Sequence, residues 1–205
     1  LKCPIFKIAS HEICHEELIE KVSKTKKPII ISTGMASLEE ISKAYNIAKR
    51  NGVKDITLLY CVSNYPSKSS DFNLNNIKIL KKKFKCRVGL SDHSLNIWTC
   101  LGAVALGANI LEKHFTVTRS WSGPDIGISI EPNELAHLIE GSQAIWQARG
   151  GEKNILDEEQ PVIDFAYASV VSLRDIKIGE KFSADNIWVK RPGTGEIKAS
   201  KFEEI

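Results

Sequence analysis

Residues 87–115 read RVGLSDHSLNIWTCLGAVALGANILEKHF. Arg87 to Leu90 is a short strand-like run that ends in Ser91-Asp92-His93-Ser94. Ile97 to Leu106 is an almost wholly apolar helical run, and Asn109 to Phe115 is a second strand carrying Glu112-Lys113-His114. A strand, a helix and a strand in such close succession predict a parallel crossover with the helix laid over the sheet. The alternation extends toward the amino terminus. Pro4 to Ala9 predicts a strand, and His15 to Lys24 a helix with Leu18, Ile19 and Val22 on one face. Pro28 to Ser32 is the continuous apolar run of a strand buried on both sides. Ser37-x-x-Glu40 forms a capping box ahead of the stripe Leu38, Ile41, Ala44, Tyr45 and Ala48, and Gly52 ends that helix. Ile56 to Val62 predicts a strand and Leu74 to Phe84 a helix. Beyond residue 115, Asn133 to Arg149 predicts a helix with Leu135, Leu138, Ile139, Ile145 and Trp146 buried, stopped by Gly150-Gly151. Five strand–helix units in a row imply an α/β fold with a parallel sheet and outer helices. An open doubly wound sheet and part of a (β/α)₈ barrel both fit. No G-x-G-x-x-G or G-x-x-x-x-G-K-[ST] follows a strand, so the usual nucleotide fingerprints are absent.

The composition bounds the function. The chain has 205 residues, 42% apolar and 26% charged, which is ordinary for a globular protein. A net charge of +3 gives no ground for nucleic-acid binding, and the basic stretch Lys78 to Arg87 reads as a solvated helix end. No apolar run approaches the ~20 residues of a membrane span. Five cysteines with no C-x-x-C pair read as reduced, mostly buried thiols, hence a cytoplasmic protein. The chain opens at Leu1 almost directly in an apolar stretch, and the expectation is that residues precede it. The expected organisation is a barrel-type portion over 1–151, a polar, acidic linker over 152–166, and a small β-rich domain over 167–205.

In parallel α/β folds, sites form where the strands end. The endings here are Lys7-Ile-Ala-Ser10-His11-Glu12, Ser32-Thr-Gly-Met35, Cys61-Val-Ser63-Asn-Tyr65, Ser91-Asp92-His93 and Glu112-Lys113-His114. Each strand finishes in polar, charged or imidazole groups, and together they predict a polar site on one rim. His93 and His114 end consecutive strands and should be neighbours, either as part of a divalent-metal site or as loop hydrogen-bonding groups. Lys7 and Lys113 lie within strands, where a lysine meets an anion, forms a Schiff base or snorkels to the rim. Ser10, Ser63 and Ser91 are either anion donors or turn residues. Glu12 is either an acid/base group or a first-turn carboxylate. Asp125, after Gly123-Pro124, reads first as a turn residue. Met35, Trp98 and Trp146 read as core; His137 reads as exposed, and His11 and His15 as helix-start groups.

Taken in order, Lys7-Ile-Ala-Ser10-x-Glu12, Ile31-Ser-Thr-Gly-Met35, Leu59-Tyr-Cys-Val-Ser-Asn-Tyr-Pro66, Gly89-Leu-Ser-Asp-His93, Glu112-Lys-His-Phe-Thr116, Gly123-Pro-Asp125 and Val189-Lys-Arg-Pro-Gly193 resemble the sialic acid (N-acetylneuraminate) synthase family, which includes the legionaminic and pseudaminic acid synthases. The resemblance runs from about Lys7 to Gly195. It implies a TIM barrel followed by a small antifreeze-like (SAF) domain, with this chain covering about strands four to eight and the start of the SAF domain. It implies condensation of phosphoenolpyruvate with an N-acetylmannosamine-type sugar and release of phosphate by C–O cleavage. It further implies a divalent metal, manganese, with magnesium or cobalt as alternatives, held by His93 and His114. On the same resemblance Lys7, Ser10 and Ser91 surround phosphoenolpyruvate, with Ser63 where some members have Asn. Glu12 is the acid/base, and Tyr65 and Asp125 bind the sugar. Arg191 reaches a partner's site in a domain-swapped, cytoplasmic homodimer. Two positions depart from the pattern: Ile126-Gly127 stand where many members have His, and Tyr167-Ala168-Ser169 where Arg-Arg-Ser is common. The rival readings are a class I aldolase or lyase using Lys7 or Lys113 as a Schiff base, and an inactive sugar-binding fragment.

Overall fold

A computed structural model describes residues 3–205, which divide into two units at Gly150/Gly151. In the first unit, β1 (Phe6–Ile8), β2 (Ile29–Ser32), β3 (Ile56–Cys61), β4 (Arg87–Asp92) and β5 (Leu111–Lys113) form one parallel sheet. Their order in space is their order in the chain. A doubly wound sheet reverses its strand order at a switch point. This sheet never does, so it winds as a barrel winds. It also curls. Laid flat, four inter-strand steps would hold β1 and β5 ~19 Å apart, yet Lys7 of β1 and Glu112 of β5 form an ion pair at 2.8 Å. The two edge strands therefore face each other across a hollow.

The helices α1 (Glu16–Ser23), α2 (Leu38–Arg50), α3 (Asn76–Phe84), α4 (Trp98–Ala105) and α5 (Pro132–Ala148) follow the strands in alternation. The capping box at α2 forms in both directions: Glu40 N–H donates to Ser37 Oγ at 3.2 Å, and Ser37 N–H to Glu40 Oε2 at 2.7 Å. Strand alternation sends Ile8, Ile29, Ile31, Leu58, Val88 and Leu90 toward the helices. There they pack with Ile19, Ile41, Ile47, Ile77, Leu80 and Cys100 in one core. The inner face is tighter at one point. A Cβ on Gly89 would lie 2.2 Å from the Ile110 carbonyl oxygen and 2.7 Å from Leu59 Cδ2. Because backbone blocks it, Gly89→Ala is expected to cost about 3 kcal/mol, read from urea unfolding midpoints.

Three readings need correction. Trp98 and Trp146 are 68% and 64% exposed, not core. The helical period is right, but the described residues supply no surface for those faces. Leu135, Ile139 and Trp146 instead line an open apolar hollow of about 520 Å³ beside Leu111. Met35 is 73% exposed, and its left-handed backbone (φ 63°) turns it away from the core. The thiols are free, with Cys61 and Cys100 buried but Cys14 exposed. Within the stretch 152–166 the chain forms α6 (Gln160–Ala166). Pro161 in the first turn and the apolar Val162, Ile163 and Phe165 favour that helix despite the acidic run before it.

In the second unit β6 (Ser169–Ser172) pairs antiparallel with β7 (Ile187–Lys190). Ser169 Oγ donates to the Pro192 carbonyl at 3.1 Å and accepts from Gly195 N–H at 2.9 Å, pinning the turn after β7. Buried Asn186 accepts from Ser183 N–H and donates to the Lys181 carbonyl, both at 2.9 Å. Arg174 beside Glu180 holds that carboxyl down at about 2. Among the described residues, no helix is long and apolar enough to cross a membrane.

Candidate active site

The carboxyl ends of β1 to β5 surround a cavity of about 470 Å³. Strand parity decides which side chains reach it. Cys61 is in register with Ser91, and Ser91 with Glu112, so these share the inner face with Lys7 and Ser32. Ala9, Ser10, His11, Met35, Ser63, Tyr65, His93 and His114, just beyond the strand ends, and Lys113 complete the wall.

His93 is the most constrained of the reactive groups, at 5% exposure. Its Nδ1 lies 2.8 Å from the Val62 carbonyl oxygen. A carbonyl only accepts, so Nδ1 carries a proton, which in the neutral ring leaves the lone pair on Nε2. Burial by itself lowers the imidazole pKa. The contacts with Cys61 and the Val62 carbonyl outweigh burial and raise it. Cys61 Sγ sits 4.0 Å from the same nitrogen. Burial would raise that thiol, but hydrogen bonds with His93, Ser10 and Ser63 bring it below its ordinary value. Tyr65 stacks on His93 with centroids 4.0 Å apart, and the His114 ring stands 5.4 Å from His93. Burial, reinforced by the negative groups Cys61, Asp125 and Glu112, pushes the Tyr65 phenol up.

Backbone ties hold these rings in place. Ser67 N–H donates to the His93 carbonyl at 3.1 Å, drawing the Tyr65 loop against the end of β4. Ile130 N–H donates to the His114 carbonyl at 2.8 Å, and Thr116 N–H to the Ile130 carbonyl at 3.0 Å. The intervening loop folds back, leaving Asp125 Oδ2 3.8 Å from His114 Nδ1.

The opposite wall is rich in donors. Lys7 contributes the ammonium, paired at 2.8 Å with Glu112 Oε1, while Glu112 Oε2 is shielded from solvent and has no partner. Ser10 Oγ accepts from Gly34 N–H at 3.0 Å. Ser32 was not among the residues singled out from sequence. Its hydroxyl is buried in the cavity wall without a hydrogen-bond partner. A buried hydroxyl left unpaired is costly, which marks it as a group awaiting a ligand. Its signal in the sequence is its place as the last residue of an apolar strand.

Of the expected site residues, Lys7, Ser10, Ser63, Tyr65, Ser91, His93 and His114 meet in this one cavity. Asp125 stands beside His114, half exposed. Glu12 does not line the cavity. It closes the short 3-10 turn Ser10–Glu12, whose geometry aims Ser10 inward instead. Arg191 is exposed just past β7, in the second unit. Lys113 neither snorkels to solvent nor offers a free amine: its side chain is 3% exposed and paired with Asp92 at 3.0 Å.

Among the described residues, no group of three or more His, Cys, Asp or Glu could hold a metal ion. Two imidazoles do converge, and that of His93 gives its Nδ1 proton to the Val62 carbonyl, the kind of contact that orients a metal-binding histidine. That fits an open site in which the protein gives two ligands and water or substrate fills the rest.

The NeuB family model matches residues 1–154, and the SAF domain model residues 167–205. An N,N'-diacetyllegionaminic acid synthase of Campylobacter jejuni is 45% identical over 98% of this chain and 61% of its own length. A pseudaminic acid synthase of Helicobacter pylori is 38% identical over 98% of this chain and 63% of its own length. Among solved structures, an N-acetylneuraminic acid synthetase from Leptospira borgpetersenii, crystallised with citrate, superposes with a TM-score of 0.74 at 42% identity, covering 79% of this chain and 57% of that one. The chain thus spans about three fifths of the length of the curated relatives it matches.

Proposed function

The chain belongs to the NeuB family, and from that premise we propose that its cavity serves the condensation of phosphoenolpyruvate with an N-acetylmannosamine-type sugar to give a nonulosonic acid and phosphate. The observation that carries this reading is the meeting of Lys7, four serine hydroxyls and two imidazoles at the strand ends of one cavity. Phosphoenolpyruvate is a small trianion, and an ammonium with short hydroxyl donors suits both its carboxylate and its phosphate. On this reading Tyr65 and Asp125, beside the histidines, hold the sugar's open-chain form. C3 of the enol attacks the aldehyde carbon, water adds to C2, and the tetrahedral carbon expels phosphate by breaking its C–O bond. Glu112 is the carboxylate nearest this chemistry. With Oε1 on Lys7 and Oε2 unpartnered, it takes the proton from the added water. The acid/base role that the resemblance gives Glu12 requires that turn to move inward. His93 and His114 would hold a divalent metal, manganese by resemblance, which when bound polarises the aldehyde as a Lewis acid. Cytoplasmic residence, and a homodimer in which Arg191 completes a partner's site, belong to the same proposal.

The test is phosphate release from phosphoenolpyruvate with a panel of N-acetyl and di-N-acetyl hexosamines, with Mn²⁺ and with chelator. It is run on this chain and on one extended to the length of its relatives. Release that depends on one sugar is expected and names the acceptor. No release from either folded protein, or borohydride trapping of substrate on a lysine, overturns the proposal. A second expectation concerns Ser32. Ser32→Ala removes one donor from the anion wall and should weaken phosphoenolpyruvate binding about three- to tenfold. Because the hydroxyl has no partner in the protein, thermal stability should hold or rise, which calorimetry and a melting curve together decide.

A further inference from the structure

Asp92 and Lys113 are in register on β4 and β5; Asp92 turns toward α4, and the Lys113 ammonium follows it there although Lys113 also borders the cavity. They are all but sealed from solvent, at 0% and 3% side-chain exposure. Asp92 Oδ2 accepts from Lys113 Nζ at 3.0 Å, Thr99 Oγ1 at 2.7 Å, Cys100 Sγ at 3.1 Å and Ser94 Oγ at 3.1 Å. Asp92 Oδ1 accepts from Ser94 N–H at 2.7 Å, and Lys113 Nζ also donates to the Ser94 carbonyl at 2.6 Å. The pair therefore grips Ser94, the residue after His93; Asp92 is itself the residue before His93, and Lys113 the residue before His114. Every donor the ammonium spends here is lost to the cavity.

We infer that the Asp92–Lys113 pair is a positioning device, a brace on the helix side of the sheet that fixes where His93 and His114 stand on the cavity side. The inference rests on the reading of those histidines as the reactive pair of the site. A hydrophobic pair of similar volume could hold two strands together equally well. What it could not do is anchor both the N–H and the carbonyl of Ser94, and so fix the peptide that aims His93 at the Val62 carbonyl.

Nitrogen-15 shifts of the histidine rings in this 205-residue chain test the brace without metal, substrate or turnover, so its failure is separate from failure of the synthase reading. In the wild type, His93 is held with the proton on Nδ1. In the double variant D92L/K113M, and in the isosteric Asp92→Asn, the minor tautomer is expected to rise about tenfold while the protein stays folded. A folded variant whose His93 signals match the wild type overturns the inference. If none of the variants folds, the pair serves the stability of the sheet alone, and the inference is equally overturned. Where turnover is measurable, kcat should fall more than KM rises, because the anion wall is left untouched.

Discussion

Lys113→Met is expected to lower the unfolding free energy of the first unit by about 3–5 kcal/mol at neutral pH, because it strands a buried carboxylate. Asp92 is paid no attention by solvent, and four of its five hydrogen-bond donors are neutral. The cation contributes by cancelling charge where water cannot. The sign of the pH dependence follows. Burial pushes the Asp92 carboxyl up, but Ser94 N–H, Lys113, Cys100 and Thr99 more than reverse it, so its folded pKa lies below its unfolded value. Such a group contributes stability that is present above the unfolded pKa and lost as pH falls through the folded one. Without the ammonium the folded pKa rises, and the charge that made the loss costly is neutralised earlier. The deficit of Lys113→Met against wild type should therefore narrow as pH falls from 7 toward about 4. Adding Asp92→Leu should recover most of the loss, since a well-packed apolar pair is often no less stable than a buried ion pair. Urea unfolding of the single and double variants across that range decides it. A deficit that is constant with pH, or a double variant weaker than the single, would show that the lysine's packing matters rather than its charge.

Much of this was legible in the sequence because strand parity is strict. The alternation of short apolar runs with amphipathic ones gave the five strands and their helices, and strand endings rich in serine, lysine and histidine pointed to one rim. The choice between a doubly wound sheet and a barrel was not legible from the residues. It depends on spatial strand order, which no local pattern carries, and the uninterrupted order β1 to β5 decides it. Lys113 and Glu112 show the limit of a one-residue reading. They are neighbours in the chain but face opposite sides of the sheet. One is locked to Asp92 under α4, and the other meets Lys7 across the hollow. Only the register of β5 on β4 separates those roles. Met35 and Trp98 were misread for a different reason. Apolar side chains suggest burial, but a left-handed backbone turns Met35 outward and the first turn of α4 leaves Trp98 uncovered. Glu12 ends in a short 3-10 turn, which, unlike a strand, does not keep alternate residues on one face, so its place outside the cavity lining could not be read from spacing.

Gly34→Ala is expected to reduce turnover about a hundredfold while changing the unfolding free energy by less than about 1 kcal/mol. Its backbone does not need glycine, since φ is not positive there. Its space does. An added Cβ would stand 2.2 Å from Ser63 Oγ, 2.9 Å from Ser10 Oγ and 3.0 Å from Cys61 Sγ. All three are ends of side chains on the cavity wall, so they can move aside at little cost in stability. Gly89 is the contrast, since there the obstacle is a carbonyl of the neighbouring strand, which cannot yield. What Gly34→Ala spares in stability it takes from the site. Ser63 and Ser10 must leave the positions from which they line the cavity, and Cys61 must leave its contact with His93. An ångström of misplacement in such a wall is enough for a loss of that size. The double variant G34A/S63A separates crowding from chemistry, because it removes the closest of the three atoms. It should regain part of the lost turnover if displacement of Ser10 and Cys61 is the damage. No recovery in that variant, with Ser63→Ala alone equally inactive, would instead make the Ser63 hydroxyl itself the group that the reaction needs.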